Sequence, residues 1–186
     1  VDLMRYFCGE VVAVQAQFAG AKRGYENEDV ASAILRFESG AIGTVSVSDS
    51  IASPWSWEFT SGENPAYPST QQSTYFIGGS EGSISVPDLR VWRHEGGLDW
   101  WNPMHSERAP TKGLDPLVNQ IVHFRRVILG LEPPLVSGSE GTKSLEVIDA
   151  IQRAAVTHEL VRLEVGHETS ALSGELPLAE VITSSQ

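Results

Sequence analysis

Two β-forming runs joined by a short turn constrain the fold of this chain more than any other feature. Residues 29–37 and 41–49 are rich in Val, Ile, Ala and Ser, and Glu38, Ser39 and Gly40 stand between them. β-branched residues favour strands, and a three-residue connection that contains glycine is typical of a hairpin. The sequence therefore predicts an antiparallel strand pair here.

The second arm of this hairpin has two unlike faces. Thr44, Ser46 and Ser48 alternate with glycine and valine residues. Successive side chains of a strand point to opposite faces of the sheet, so the three hydroxyl residues share one face. We expect the apolar face to be buried under helices and the small, flat, polar face to join two subunits.

The remaining β-forming runs extend this hairpin into a sheet. They lie at residues 11–19, 73–77, 82–86, 89–93 and 161–165. The connections between them are mostly short, which favours antiparallel neighbours. We predict an α+β fold: one open, mainly antiparallel β-sheet with helices packed on one face.

Three helices are indicated by capping residues and apolar periodicity. The first covers residues 2–8, and we interpret it as the end of a longer helix. The second begins at Asp115 and ends before Gly130. The third begins after Ser137, and its sheet-facing stripe is predicted to consist of Leu145, Ile148, Ile151 and Ala155.

Composition excludes several classes of protein. Hydrophobic residues make up 41% and charged residues 20% of the chain, as in ordinary globular domains. The net charge of −11 and the scattered basic residues argue against nucleic acid as a partner. No apolar run approaches the roughly 18 residues that span a bilayer, and the N-terminus does not resemble a signal peptide. We therefore expect no membrane partner and a cytoplasmic location.

Sequence patterns for cofactor or metal sites are missing. There is no Gly-x-Gly-x-x-Gly run for a dinucleotide and no Gly-x-Ser-x-Gly nucleophile elbow. His158 and Glu159 begin a zinc-hydrolase pattern, but Arg162 stands where its second histidine belongs. Cys8 is the single cysteine, which excludes an internal disulfide. We assign no catalytic, cofactor-binding or metal-binding residue to this chain.

Two aromatic-rich segments are the candidates for ligand binding. One spans residues 54–72, and the other spans residues 98–110 with Trp100 and Trp101. Loops that carry aromatic and hydrogen-bonding side chains commonly bind small polar ligands, although the same rings also cover sheet edges or interfaces. The candidate substrate-binding residues are Trp55, Trp57, Glu63, Asn64, Tyr67 and His105.

The order of several segments resembles the C-terminal domain of the glucose-fructose oxidoreductase / inositol dehydrogenase / MocA (GFO/IDH/MocA) family. The resemblance extends from residue 1 to about residue 165. The segments that carry it are VDLMRYFCG at 1–9, EDVASAILRFESGAIG at 28–43, YFIGGSEGS at 75–83, DPLVNQIVHF at 115–124, PPLVSGSEG at 133–141 and VIDAI at 147–151.

This resemblance implies a two-domain parent enzyme. Residues 1–165 would be its C-terminal substrate-binding and dimerisation domain, of the glyceraldehyde-3-phosphate-dehydrogenase-like type, with residues 166–186 as a tail. A Rossmann domain, which this chain lacks, would hold NAD or NADP in the parent. The family's Asp-x-x-x-His motif would fall just before Asp2, so its catalytic residues lie outside the chain.

The implied parent is an NAD(P)-dependent oxidoreductase that acts on a sugar, inositol or related polyol and forms a homodimer or a higher homo-oligomer. The isolated chain is then expected to bind no cofactor and to be inactive. Two alternatives remain open: a non-catalytic dimerisation module, and a binding module for carbohydrates or other small molecules that uses the tryptophan loops.

Overall fold

The computed structural model describes residues 1–20, 22–110 and 115–164. The predicted tail at residues 166–186 lies outside the described residues. The elements in chain order are α1 (Asp2–Cys8), β1 (Val11–Ala19), β2 (Val30–Phe37), β3 (Ile42–Ser48), α2 (Trp57–Ser61), β4 (Tyr75–Gly78), β5 (Ser83–Val86), β6 (Arg90–His94), β7 (Met104–Arg108), α3 (Pro116–Ile128), α4 (Gly138–Thr157) and β8 (Val161–Arg162).

These elements form two compact units. The first unit contains Val1–Asp49 and the chain from Gly138 onward, and the second contains Ser50–Ser137. Each unit has its own four-stranded antiparallel sheet, which we call sheet A (β3-β2-β1-β8) and sheet B (β4-β5-β6-β7). The α+β class and the antiparallel pairing are as predicted, whereas the expected single sheet is replaced by two.

Sheet A has a buried face under α4. Val14 pairs with Leu35 and Ala16 with Ala33, and all four side chains are buried. The residues of α4 that meet this face are small: Ala150 and Ala154 are completely buried. Small side chains let the helix axis approach the strands closely, which brings apolar side chains of both layers into contact.

The face that α4 buries differs from the stripe predicted for it. Leu145 is 65% exposed and Ile148 is 41% exposed, whereas Val147 is buried. Ile151 is packed against the core and Ala155 belongs to it, as expected. The prediction erred because it assigned the largest apolar side chains to the sheet, while the tight helix–sheet contact selects alanine.

Gly43 shows why the hairpin arm carries a glycine on its buried face. A Cβ atom there would lie 2.7 Å from Met4 Cε and 3.1 Å from the Phe37 ring. The missing side chain therefore makes room for α1 and for a core aromatic ring. This contact places α1 on the same face of sheet A as α4, so the two helices of the first unit lie on one face of its sheet.

Sheet B is fixed at its β5–β6 turn by Asp88. Its carboxylate accepts hydrogen bonds from the hydroxyls of Ser73, at 2.8 Å, and Ser85. Arg90 adds a backbone contact at 3.4 Å and a side-chain contact at 3.5 Å. Burial alone would raise the pKa of Asp88, but these hydrogen bonds hold that pKa below its usual value. The turn is therefore built around an ionised carboxylate.

The helix boundaries follow the predicted caps. Asp115 Oδ1 accepts from the backbone N–H of Leu117 at 2.9 Å and of Val118 at 3.3 Å. α3 then runs to Ile128, and Gly130 follows with a φ of 67°. Two elements were not predicted, α2 and β7, and both lie within the aromatic-rich segments.

Candidate functional site

The first candidate surface is the exposed face of sheet A, which we call the open face. Thr44, Ser46 and Ser48 are all exposed on it, as the alternation in β3 predicts. Ser48 donates from its hydroxyl to the Asp29 carbonyl at 2.7 Å. These three side chains on β3 are short and polar, and the exposed Ile42 stands on the same face beside them.

Two cross-strand rows continue this face over β2 and β1. A hydrogen bond of 2.9 Å joins the hydroxyls of Ser32 and Ser46. The rows are Gln15–Ile34–Thr44 and Gln17–Ser32–Ser46. Sequence reasoning missed Gln15, Gln17, Ser32 and Ile34, although alternation of glutamine with buried residues in β1 is a signal that finds them.

A shallow depression lies over these rows. Its volume is about 490 Å³, and its lining includes Gln15, Gln17, Ser46, His158 and Glu159. His158 and Glu159 follow the end of α4, where the chain turns toward the edge of β1. Amides, hydroxyls and one carboxylate thus face solvent around a central apolar residue, a composition suited to a hydrated polar interface.

The second candidate surface is the segment around α2, where the predicted residues bind one another. Trp57 donates from its indole N–H to Glu63 at 2.9 Å and lies edge-on to Tyr75, with ring centroids 6.1 Å apart. Burial raises the pKa of Tyr75. Several of the groups that were proposed to bind a ligand therefore contact one another within the segment.

Asn64 and Tyr67 also contribute to the shape of this segment. Asn64 Oδ1 accepts from the backbone N–H of Ala66 at 3.0 Å, and Tyr67 lies edge-on to Phe59. Tyr67 is 44% exposed and Trp55 is 58% exposed. Both rings are therefore accessible to a ligand.

His105 is placed apart from this group. It lies on β7 opposite Arg93, and its Nδ1 is 3.4 Å from Glu95 Oε1. Its contacts are thus with the β6–β7 hairpin. The structure gathers Trp57, Glu63 and Tyr75 around α2, and it places His105 in a different element.

A third polar assembly, the Arg5 cluster, consists of Asp2, Arg5, Glu10, Glu140 and Lys143. The Arg5 side chain is only 4% exposed, and its Nη2 donates to Glu10 at 3.0 Å and to Glu140 at 2.8 Å. Lys143 Nζ lies 3.2 Å from Glu10 and 3.0 Å from Glu140. The cluster ties α1, the α1–β1 turn and the first turns of α4 together.

The charges in this cluster stabilise one another. Burial alone would lower the pKa of Arg5, but hydrogen bonds to Glu140 and Glu10 raise that pKa. The hydrogen bond from Lys143, followed by that from Arg5, lowers the pKa of Glu140. Hydrogen bonds to Glu140 and then Glu10 raise the pKa of Lys143. Ser144 on α4 also accepts from Arg5 at 2.9 Å and donates to Asp2 at 3.0 Å. These contacts between α1 and α4 make the cluster a structural tie.

Two searches for other kinds of site gave nothing in the part of the chain that the structure describes. No group of three or more His, Cys, Asp or Glu side chains is arranged to hold a metal ion there. Among the same residues, no helix is long and apolar enough to cross a membrane.

Comparison with known family models gives a match over the first part of the chain. Residues 1–85 match the family model described as GFO/IDH/MocA C-terminal domain. A comparison with curated proteins finds no match. The sequence match thus covers α1, sheet A apart from β8, α2, β4 and the first residues of β5.

Solved structures share the fold over most of the chain. An aldose-aldose oxidoreductase from Caulobacter crescentus, complexed with glycerol, is 24% identical with a TM-score of 0.64, over 87% of this chain and 44% of that one. An oxidoreductase from Agrobacterium radiobacter, in complex with NAD+, L-tartaric acid and magnesium, is 19% identical with a TM-score of 0.60, over 87% and 46%. Levoglucosan dehydrogenase, in complex with NADH and L-sorbose, is 20% identical with a TM-score of 0.59, over 88% and 47%.

The chain spans less than half the length of each of these three solved structures. At such identities the likeness establishes the fold alone. The resemblance drawn from the sequence is confirmed over residues 1–85, which match the GFO/IDH/MocA C-terminal domain model.

Proposed function

We propose that this chain is the C-terminal part of a cytoplasmic NAD(P)-dependent oxidoreductase that acts on a sugar, inositol or related polyol. Residues 1–165 would form the domain that supplies the substrate wall and the dimer interface, after a Rossmann domain. The observation that carries the proposal is the family match at residues 1–85. Two of the similar structures are named for sugar chemistry, and two contain NAD+ or NADH.

The residues of this chain do not fit a dinucleotide. A pyrophosphate needs a glycine-rich strand–turn–helix with backbone N–H groups free of competing negative charge. α4 is the helix that begins with glycine, but Glu140 occupies its first turn and is already bound by Arg5 and Lys143. In the proposed enzyme the cofactor would therefore bind the preceding domain, where it would supply hydride transfer.

The proposed substrate wall includes the segment around α2. Trp55 and Tyr67 are exposed aromatic rings on which the apolar face of a polyol can lie, and the Trp57–Glu63 hydrogen bond holds the segment that carries them. Asn64 shapes the neighbouring turn through Ala66. His105 would contribute from the β6–β7 hairpin.

Cofactor binding tests this proposal directly. We expect the parent protein to bind NADH or NADPH saturably and to oxidise a member of a panel of aldoses, inositols and polyols. The isolated 186-residue chain should show no cofactor-dependent change in NADH fluorescence or binding heat. Saturable NADH binding by the isolated chain would contradict the assignment of the cofactor to another domain. Glycan binding by the chain together with an inactive parent would favour a carbohydrate-binding module.

The open face is the proposed subunit interface. Replacing Ser46 by arginine should place two like charges against each other across a two-fold contact and interrupt the Ser32–Ser46 row. We expect sedimentation velocity to show a smaller assembly than that of the wild type. Ser80→Arg is the matched control, because Ser80 is exposed in the β4–β5 turn and is not a residue of sheet A. A wild-type chain that sediments as a monomer at high micromolar concentration would rule out this interface.

A further inference from the structure

The backbone on both sides of Trp55 is held by threonine hydroxyls. Thr70 Oγ1 donates to the carbonyl of Pro54 at 2.8 Å, and Thr74 Oγ1 donates to the carbonyl of Trp55 at 2.8 Å. Peptide groups are planar, so the only soft backbone torsions at Trp55 are its φ and ψ angles. Because the peptide group on each side of its Cα atom is held, the direction in which the indole leaves the backbone is fixed.

The two threonines are themselves anchored in regular structure. Thr74 directly precedes β4, and its backbone N–H donates to the carbonyl of Val86, the last residue of β5, at 2.8 Å. The backbone N–H of Thr70 donates to the carbonyl of Phe59 in α2 at 2.9 Å. All of these residues belong to the second unit. Trp55 is therefore tied to sheet B and to α2 by contacts within that unit alone.

A third hydroxyl, that of Thr60, sets the direction of the hydrogen bond to Trp55. Thr60 is buried, and its Oγ1 lies 2.8 Å from Thr74 Oγ1 and 2.9 Å from the carbonyl of Ser56. Each hydroxyl has one proton to donate. The Ser56 carbonyl already accepts from the backbone N–H of Thr60 at 3.1 Å. Both carbonyls are therefore satisfied when Thr60 donates to Thr74 and Thr74 donates to Trp55.

We propose that Thr70 and Thr74 are positioning residues, which hold the Trp55 indole in the direction needed to stack on a polyol substrate. The inference rests on the proposed function, in which Trp55 belongs to the substrate wall. A ring whose backbone is already fixed loses less conformational entropy when a ligand binds, so its contact contributes more to affinity. Thr70 and Thr74 therefore act on the substrate only through Trp55.

Steady-state kinetics of the parent enzyme with a polyol that it oxidises tests the role in substrate binding. Thr70→Val/Thr74→Val keeps the shape of both side chains and removes both hydroxyls, so we expect KM to rise roughly 5-fold with kcat unchanged. Such a change indicates the loss of a contact that the bound substrate and the transition state share. Thr70→Ser/Thr74→Ser retains the hydroxyls and should keep KM near the wild-type value. If the double valine variant does not fold, Thr74→Val alone gives the same test with a smaller rise.

A double-mutant cycle separates positioning from a purely structural role. Trp55→Ala should raise KM roughly 10-fold, because it removes the aromatic contact. In that background the two valine substitutions should leave KM unchanged, since there is no longer a ring for the hydroxyls to position. If the substitutions raise KM by the same factor with and without the indole, they act by another route and the inference is overturned.

Fluorine NMR follows the ring in the 186-residue chain without any ligand. Fluorotryptophan labels all five tryptophans, and the signal of Trp55 is the one that Trp55→Phe removes. We expect Thr70→Val/Thr74→Val to shift or broaden that signal. Thr142→Val is the matched control, since it removes one hydroxyl–carbonyl hydrogen bond of 3.0 Å within α4, and it should leave the signal in place. A Trp55 signal that is the same in the double valine variant and the wild type overturns the inference, because the hydroxyls then do not hold the ring.

The outcomes distinguish this inference from the proposed function. An active parent whose KM is unaffected by the valine substitutions overturns the inference and leaves the proposed function standing. A parent that oxidises no sugar, inositol or polyol refutes the proposed function, and with it the substrate role of Trp55, whatever the fluorine spectra show. An effect on KM that disappears in the Trp55→Ala background, together with a moved Trp55 signal, supports both.

Discussion

Replacing Leu35 by alanine should lower the free energy of unfolding of the first unit by about 3–4 kcal/mol. Leu35 is completely buried in the middle of sheet A, between Val14 and Gly43 in register. Alanine would leave a cavity in the core, and the short side chains of α4 are too small to fill it. Urea unfolding followed by circular dichroism should show a lower midpoint with an unchanged slope.

Ile34 is the matched control for this experiment because it is the preceding residue on the opposite face. It is 49% exposed, so Ile34→Ala should cost about 1 kcal/mol or less when measured at a concentration where the chain is monomeric. Equal costs for the two variants would contradict the orientation of β2, because a one-residue shift of register exchanges the two faces.

Replacing Arg5 by methionine should lower the free energy of unfolding by about 3 kcal/mol. Methionine keeps much of the apolar volume but removes every hydrogen bond from the guanidinium to Glu10, Glu140 and Ser144. It also leaves the Glu10 and Glu140 carboxylates with Lys143 but without the second cation, Arg5. The measurement is the urea midpoint at pH 7.

Arg153 provides the matched control for Arg5. It lies on α4 and pairs with Asp149 at 2.8 Å, but both side chains are more than half exposed. Exposed pairs of this spacing contribute about 0.3–0.5 kcal/mol, so Arg153→Met should leave the free energy of unfolding nearly unchanged. If Arg5→Met were equally silent, the Arg5 cluster would not hold α1 to α4.

Local pattern was enough to predict most of the elements. The hairpin of β2 and β3 follows from two β-forming runs and a glycine turn, and the start of α3 follows from Asp115 and Pro116. The division of the strands into two sheets was not predictable in this way. Strand pairing between distant segments depends on tertiary packing, which no local period encodes.

The candidate sites show the same difference between features that follow from local pattern and features that need the folded structure. Alternation in β3 correctly predicted that Thr44, Ser46 and Ser48 share an exposed face. The residue types around α2 could not reveal that Trp57 and Glu63 bind each other, because that contact needs the helical turn at Trp57–Ser61. Likewise, the full exposure of Trp100 follows from the hairpin that presents it, and its residue type alone would favour partial burial.

The first unit is assembled from two segments that lie far apart in the sequence, so its first segment is synthesised well before its second. Residues 1–49 leave the ribosome roughly 5–20 s before α4, at ordinary rates of translation. Until α4 emerges, the core face of β1 and β2 has only α1 against it, and Arg5 has no Glu140, its partner 135 residues away. Such non-local contacts form late. The nascent β-hairpin is therefore the stage at which this chain most depends on chaperones, whereas residues 50–137 complete their own sheet first.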